Sequence, residues 1–418
     1  MSRHYWIETL GCPKNQVDSD KLAGTLEADG LVPAAAPEDA EVVVVNTCAF
    51  VESARQESVD NVLAAADVRR PGARLVVTGC MAERYGEELA RALPEVDLVA
   101  GFGVSVSLSP RPVGASSAVP AFDLLNLPRP TPLAPWAYVK IAEGCDRACG
   151  FCAIPSFRGR QRSRSPESIL DEVDGLGVSE VVLVAQDLAS YGRDVDGLGP
   201  GAIVPLVRAV AERVERTRLF YLYPSDLTDA LIDAIGDTGV PYFDLSLQHA
   251  SRPLLRRMRR WGDGERFLRR IGHIRSRWPE ATFRSNFIVG YPGETESDHD
   301  VLLSFVEQAQ LDWCGFFAYS REEATYAAGL DGTVGTALVN ERLGELSELQ
   351  DAITARRRQA LVGEKVEVLV DSPGVGRSHR EAPEIDGVVR VPSWLPVGEK
   401  ATVLVTGAEG PDLEAEAL

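Results

Sequence analysis

Three runs of β-branched and apolar residues, YWIETLGC (5–12), EVVVVNTC (41–48) and RLVVTGC (74–80), each end on a cysteine, and helical stretches lie between them. Continuous apolar strands alternating with amphipathic helices must be covered on both faces. Residues 1–103 are therefore expected to form a parallel α/β sheet. The cysteines Cys12, Cys48 and Cys80 are spaced by 36 and 32 residues, about one βαβ unit each. In open α/β sheets ligands bind beyond the carboxyl ends of the strands, so three thiols remote in sequence can converge on one point. Burial as ordinary core cysteines is the other reading of the same residues.

Residues 104–135 hold seven prolines, scattered serines and no clear periodicity, the composition of a linker. From residue 136 the alternation resumes. Candidate strands are WAYVKIA (136–142), EVVLVAQ (180–186), RLFYLYP (218–224), YFDLSLQ (242–248), TFRSNFIVG (282–290) and WCGFFAYS (313–320). Six βα units over 136–363, closed by the helical stretch 341–363, suggest a partial (β/α)6 barrel. Residues 364–418 show short alternating strands, EKVEVLV, DGVVRVP and KATVLVT, which suit a small β-barrel. The fold class is thus α/β: an N-terminal doubly wound parallel sheet, a central partial barrel and a C-terminal β-barrel.

The first strand of the central region leads into EGCDRACGFCAIPSFRGRQRSR (143–164), where Cys145, Cys149 and Cys152 follow C-x3-C-x2-C spacing. The longest apolar runs are short, such as VVVV at 42–45, too short to span a bilayer. The start, MSRHYWIETLGC, lacks the apolar stretch of a signal peptide, so a cytoplasmic, membrane-free protein is expected. In a reducing compartment such cysteines are more often metal ligands or catalytic groups than disulfides. A closed zinc site takes four ligands, and no histidine lies near this triplet; zinc with a distant fourth ligand is the plainer alternative. A four-iron cluster on three thiolates leaves one iron open to bind and activate a small molecule.

C-x3-C-x2-C with an aromatic, Phe151, before the last cysteine, opening a partial βα barrel, resembles the radical S-adenosylmethionine superfamily. That resemblance implies a [4Fe-4S] cluster on Cys145, Cys149 and Cys152 whose open iron is chelated by S-adenosylmethionine and whose reduction generates a 5′-deoxyadenosyl radical. It also suggests Phe151 as a cofactor contact and implies an external reductant. An N-terminal domain with three dispersed cysteines, a radical barrel and a small C-terminal barrel of the TRAM type together resemble the methylthiotransferase family over essentially the whole chain. Membership implies a second [4Fe-4S] cluster on Cys12, Cys48 and Cys80 that delivers sulfur. Of the two branches, LGCPKNQVDSD, KIAEGC, IPSFRGRQRSR, AQDLASYG and LQHASRPLLRRMRR look like the one that modifies the β-carbon of an aspartate in a small-subunit ribosomal protein. The alternatives are methylthiolation of isopentenyl-adenosine in tRNA, and a non-catalytic iron–sulfur protein that binds a ribosomal partner.

Charge bears on the partner. The chain carries a net −19 with a pI near 4.8, and residues 364–418 hold eleven acidic against five basic residues. An acidic barrel suits a basic protein loop better than phosphates, although a solvated acidic surface kept for solubility has the same composition. Residues 252–277 contain ten arginines, either the solvated outer face of a helix pair or a footprint on nearby ribosomal RNA. Arg158, Arg160, Arg162 and Arg164 follow the triplet on alternate residues, and an extended segment is expected to aim one pair inward, toward a carboxylate of the substrate or of the cofactor. Cys314 reads as a core cysteine, and GYPGET (290–295) as a tight turn or a cofactor approach.

Overall fold

The computed structural model describes residues 3–106 and 123–418. Its N-terminal sheet has five parallel strands, β1 (Arg3–Thr9), β2 (Leu31–Pro33), β3 (Val42–Thr47), β4 (Arg74–Gly79) and β5 (Leu98–Ala100), in the order β2-β1-β3-β4-β5. Helix α1 (Pro13–Ala28) covers one face through Leu22 and Leu26, while α2 (Glu52–Val68) and α3 (Cys80–Ala92) cover the other through Val62 and Leu89. The valines of β3 alternate between these two cores, which explains a strand with no polar face. The order of strands reverses between β1 and β3, the crevice where such sheets bind ligands.

The central region opens with β6 (Trp136–Lys140) and the short β7 (Ala142–Glu143), a turn of helix α4 (Ile154–Phe157) and β8 (Arg162–Ser163). Next come α5 (Pro166–Leu176), β9 (Glu180–Val184), α6 (Ile203–Ala211), β10 (Arg216–Leu219), α7 (Asp229–Gly236) and β11 (Tyr242–Gln248). Helices α8 (Arg252–Arg257) and α9 (Gly264–Arg277), β12 (Thr282–Val289), α10 (Glu296–Ala309), β13 (Trp313–Ala318) and α11 (Thr336–Gln359) complete it. Strands β6, β9 and β10 form one parallel sheet and β11, β12 and β13 another, joined by a single bridge between Leu222 and Leu245. This is the six-strand partial barrel. The third strand was expected over 218–224 but ends at Leu219, because Tyr221 adopts a left-handed φ of 63° and Pro224 starts a 3-10 turn. That conformation takes the chain out of the ladder.

The C-terminal strands β14 (Lys365–Ser372), β15 (Val375–Arg377), β16 (Val389–Arg390), β17 (Lys400–Glu409) and β18 (Asp412–Ala417) close into a barrel. The loop between β15 and β16 enters the core barrel at the N-terminal ends of its strands. Arg377 donates to Glu180 at 3.0 Å, Arg218 to the His379 carbonyl at 3.0 Å, and Tyr138 to the Pro383 carbonyl at 3.2 Å. Tyr242 reaches Asp386 at 2.5 Å and Trp313 donates to the Arg380 carbonyl at 2.8 Å. Glu180, Arg218 and Tyr242 are fully buried there. The opposite end of the barrel is covered by α1, whose Val17 joins Tyr138, Val184 and Phe220 in one apolar cluster.

Of the proline-rich stretch read as a linker, 107–122 lies outside the described residues. The part after it lies against α1: Leu124 and Leu125 are buried, Lys21 donates to the Leu127 carbonyl at 2.8 Å, and a Cβ on Gly24 would stand 2.5 Å from the Pro128 carbonyl. No helix among the described residues is long and apolar enough to cross a membrane.

Candidate functional site

Cys12 caps the N-terminus of α1, Cys48 follows β3, and Cys80 opens α3, so all three stand at carboxyl ends of adjacent strands. Two glycines let them approach. A Cβ on Gly11 would lie 2.9 Å from the Cys48 Cβ, and one on Gly79, whose φ is 89°, would lie 2.2 Å from Asn46 Oδ1. The three thiols perturb one another's ionisation. Burial pushes Cys48 up to about 11 and raises Cys80. Cys12 differs: burial would raise it too, but Lys14 and Arg158 draw it below its ordinary range.

Cys145, Cys149 and Cys152 lie in a loop closed at its base by the antiparallel pairing of β7 with β8. The loop is fixed from several sides: Cys145 N–H donates to the Gly159 carbonyl at 3.1 Å, Gly150 N–H to Met258 at 2.8 Å, and Ala327 N–H to Gly150 at 2.8 Å. Burial drives Cys145 up to about 11 and Cys152 up to about 12. N–H groups point at sulfur, Arg147 N at 3.4 Å from Cys145 Sγ and Arg260 Nη1 at 3.4 Å from Cys149 Sγ. Phe151 is half-buried and packs on the barrel core.

One buried polar layer separates the two sets. Arg158 donates to Glu143 at 2.8 Å, Asp18 at 3.2 Å, Asn15 at 2.7 Å and Cys80 Sγ at 3.1 Å. Lys140 reaches Glu143 at 2.7 Å and also contacts Asp18, and Gln186 donates to Glu143 at 2.6 Å. Tyr221 and Tyr223, two residues apart, face opposite sets: Lys14 Nζ sits 3.3 Å from the Tyr221 ring centre beside Cys12, while Arg147 and Arg260 stack on Tyr223 beside Cys149. Glu322, bonded to Arg55 at 2.6 Å and Arg84 at 2.7 Å, holds the N-terminal sheet to the loop after β13.

All six thiols are free. Among the described residues no three His, Cys, Asp or Glu side chains gather closely enough to hold a single ion, which a multinuclear cluster with one thiolate per iron does not require. Three thiols per set with N–H donors aimed at sulfur are a donor set suited to an iron–sulfur cluster.

The comparisons with known proteins give the family. Residues 4–101 match the profile described as uncharacterized protein family UPF0004, 139–306 the radical SAM superfamily, and 362–418 the TRAM domain. A ribosomal protein uS12 methylthiotransferase RimO of Kineococcus radiotolerans is 42% identical, with 100% of this chain and 98% of the relative covered. The RimO of Streptomyces avermitilis is 43% identical over 99% of this chain and 96% of the relative. The chain belongs to the RimO family. Among solved structures, the radical S-adenosylmethionine methyltransferase TsrM of Kitasatospora setae aligns with 78% of this chain and 74% of its own, at 16% identity and a TM-score of 0.49.

Several readings change in three dimensions. The four arginines after the triplet do not alternate inward: Arg158 and Arg164 are buried, Arg160 is exposed and Arg162 half-exposed. The segment is not extended, since α4 and the left-handed Gly159 precede a strand of only two residues. The buried pair meets the protein's own carboxylates, Arg164 pairing with Glu172 at 2.5 Å. In the arginine-rich segment Arg270, Arg277 and Arg269 pair with carboxylates on the outer helical surface, but Arg260 turns inward to Cys149. In the C-terminal barrel Asp371 is bonded to Arg377 at 2.5 Å, Glu381 is buried against Arg358, and Asp386 is bonded to Tyr242, so these acids are structural. Glu364, Glu367, Glu399 and Glu414 stay exposed. In GYPGET the Glu294 carboxylate accepts from Tyr291 N–H at 3.2 Å and pairs with Arg342 at 3.1 Å, a self-contained turn. Cys314 packs on the core, its thiol pushed up by burial. Lys14, Asp18, Glu143 and Arg260 lie inside the stretches LGCPKNQVDSD, KIAEGC and LQHASRPLLRRMRR that carry the family resemblance but had no role assigned there, and Tyr221 and Tyr223 were not foreseen.

Proposed function

We propose that the protein is a radical S-adenosylmethionine methylthiotransferase that adds a methylthio group to the β-carbon of an aspartate of ribosomal protein uS12. The observation that carries this is the facing arrangement of two three-thiol sets across one buried layer, with Arg158 reaching from one set's loop to the other set's Cys80 at 3.1 Å. In this reading Cys145, Cys149 and Cys152 hold one [4Fe-4S] cluster with S-adenosylmethionine at its open iron, and Cys12, Cys48 and Cys80 hold the other. When bound, these groups would supply the one-electron cleavage that an unactivated C–H bond requires, the sulfur to be inserted and, from S-adenosylmethionine, the methyl group, with electrons from an external reductant. The chain's own contribution is positional. Arg147 and Arg260 direct N–H groups at the triplet sulfurs, hydrogen bonds that tune such thiolates. The Lys140–Glu143–Arg158 network excludes water between the sets while satisfying its own charges. The exposed acidic face of the C-terminal barrel receives the basic ribosomal protein and steers its approach.

The test is an anaerobic side-by-side assay of the reconstituted protein on uS12 and on isopentenylated tRNA, read by mass spectrometry. A methylthio adduct on the uS12 aspartate is expected. Modified tRNA with untouched uS12 overturns the substrate, and no S-adenosylmethionine cleavage by iron-loaded, reduced protein overturns the enzyme.

A further inference from the structure

Lys14 is a buried cation with no hydrogen-bonded anion; the charge beside it is that of Cys12. It lies in the first turn of α1, two residues after Cys12, with 8% of its surface exposed. Among the described residues its ammonium makes no hydrogen bond or ion pair, and it lies over the face of Tyr221, 3.3 Å from the ring centre. The other buried cations of this layer are paired. Lys140 and Arg158 share Asp18 and Glu143, Arg284 meets Asp244 at 3.2 Å, and Arg147 meets Asp187 at 2.5 Å. The nearby carboxylates are committed as well: Asp244 accepts from Tyr221 N–H at 2.9 Å, and Glu143 from three side chains.

A buried ammonium has three N–H donors to satisfy, and an aromatic face replaces an acceptor only in part. The residue supplying that face is held at φ 63°, the kind of strained backbone that persists where the surroundings impose it. Tyr221 also belongs to the short segment that touches both thiol sets. We infer that Lys14 is the seat of the substrate's reacting carboxylate, and so selects an aspartate over its amide. The inference rests on the function proposed above and names its subsite. In aspartate the carboxylate is bonded directly to the β-carbon, so the group that anchors the carboxylate also places the carbon that reacts.

The experiment compares reconstituted wild-type and Lys14→Met protein in anaerobic binding titrations with purified uS12, and with uS12 carrying asparagine in place of the target aspartate. Iron per chain is measured alongside. Losing one partner of a buried charge pair weakens binding about 30-fold or more. Wild-type protein is therefore expected to prefer the aspartate form by about that factor, and Lys14→Met to bring the ratio close to one with iron content intact. Near-equal binding of both forms by the wild type overturns the inference, as does a Lys14→Met protein that keeps the preference. Loss of iron in the variant also overturns it, assigning Lys14 to Cys12 alone. Lys14→Gln gives the same ratio where methionine is not tolerated. If wild-type protein neither binds nor modifies uS12, the proposed function itself fails; a preference indifferent to Lys14 sinks only this subsite.

Discussion

Replacing Arg158 with methionine removes the cation that ties the triplet loop to the N-terminal sheet. The side chain is buried and donates to Glu143 at 2.8 and 2.9 Å, to Asp18 at 3.2 Å, to Asn15 at 2.7 Å and to Cys80 at 3.1 Å. Without it two buried carboxylates share only Lys140. Breaking a buried pair from one side costs about 3–5 kcal/mol, because a charge is left uncompensated. The sign with pH follows from Glu143. Burial alone would raise its carboxyl, but Arg158 and Lys140 hold it well below its ordinary 4.5. In the wild type its contribution is complete above that value and fades only as the pH falls through the depressed one. In the variant burial is opposed by Lys140 alone, so the carboxyl rises. The deficit should therefore be largest at about pH 8 and narrow toward about pH 5. Urea unfolding of the iron-free protein, followed by tryptophan fluorescence at several pH values, measures it. A second substitution, Glu143→Gln, should restore part of the loss, a coupling of about 1–3 kcal/mol. A loss under about 1 kcal/mol that is flat with pH would refute the account of this layer as dry and charge-matched.

Cys145→Ala is expected to lose about half the iron and all cofactor cleavage, whereas Cys48→Ala loses the other half and retains cleavage without sulfur insertion; loss of all iron in both would refute two separate sites. Gly79→Ala places a Cβ 2.2 Å from Asn46 Oδ1 and 2.5 Å from the Thr47 carbonyl at a φ of 89°. It should lower stability by about 1–3 kcal/mol and displace Cys80, read as thermal unfolding and iron content. Neutralising the exposed Glu364 and Glu367 together should slow association with uS12 several-fold at low salt and converge with wild type at high salt in stopped-flow traces. Asp371→Asn should instead destabilise the barrel, because Asp371 is held by Arg377 at 2.5 Å.

The strand ends that carry Cys12, Cys48 and Cys80, and the six core strands, were legible because apolar runs and turn residues are local signals. The edge strands β2 and β5 escaped because three residues each carry too little periodicity. Tyr221 ended a strand early through a backbone conformation that no hydrophobic pattern encodes. The contact of Arg158 with Cys80 spans 78 positions, and Arg260 sits among arginines that are mostly surface-paired, so neither shows in composition. Counting acids in the C-terminal segment overstated its free charge: Glu381 and Asp386 have their partners elsewhere in the fold, and Asp371 is paired with Arg377 of its own barrel.

The loop between β15 and β16 gives the order of synthesis a physical meaning. Glu180, Arg218, Tyr138, Tyr242 and Trp313 are all made well before the segment that satisfies them. Domains emerging from the ribosome tend to fold from the N-terminus onward, but here the floor of the central barrel arrives last. In a chain cut short before residue 377, Glu180 and Arg218, fully buried in the full fold, stand at an open base, the kind of exposed, half-satisfied interior that chaperones and proteases act on. The β15–β16 loop thus works as a stopper for the base of the barrel, and a graft that exchanges this module for another barrel must bring a matching stopper with it.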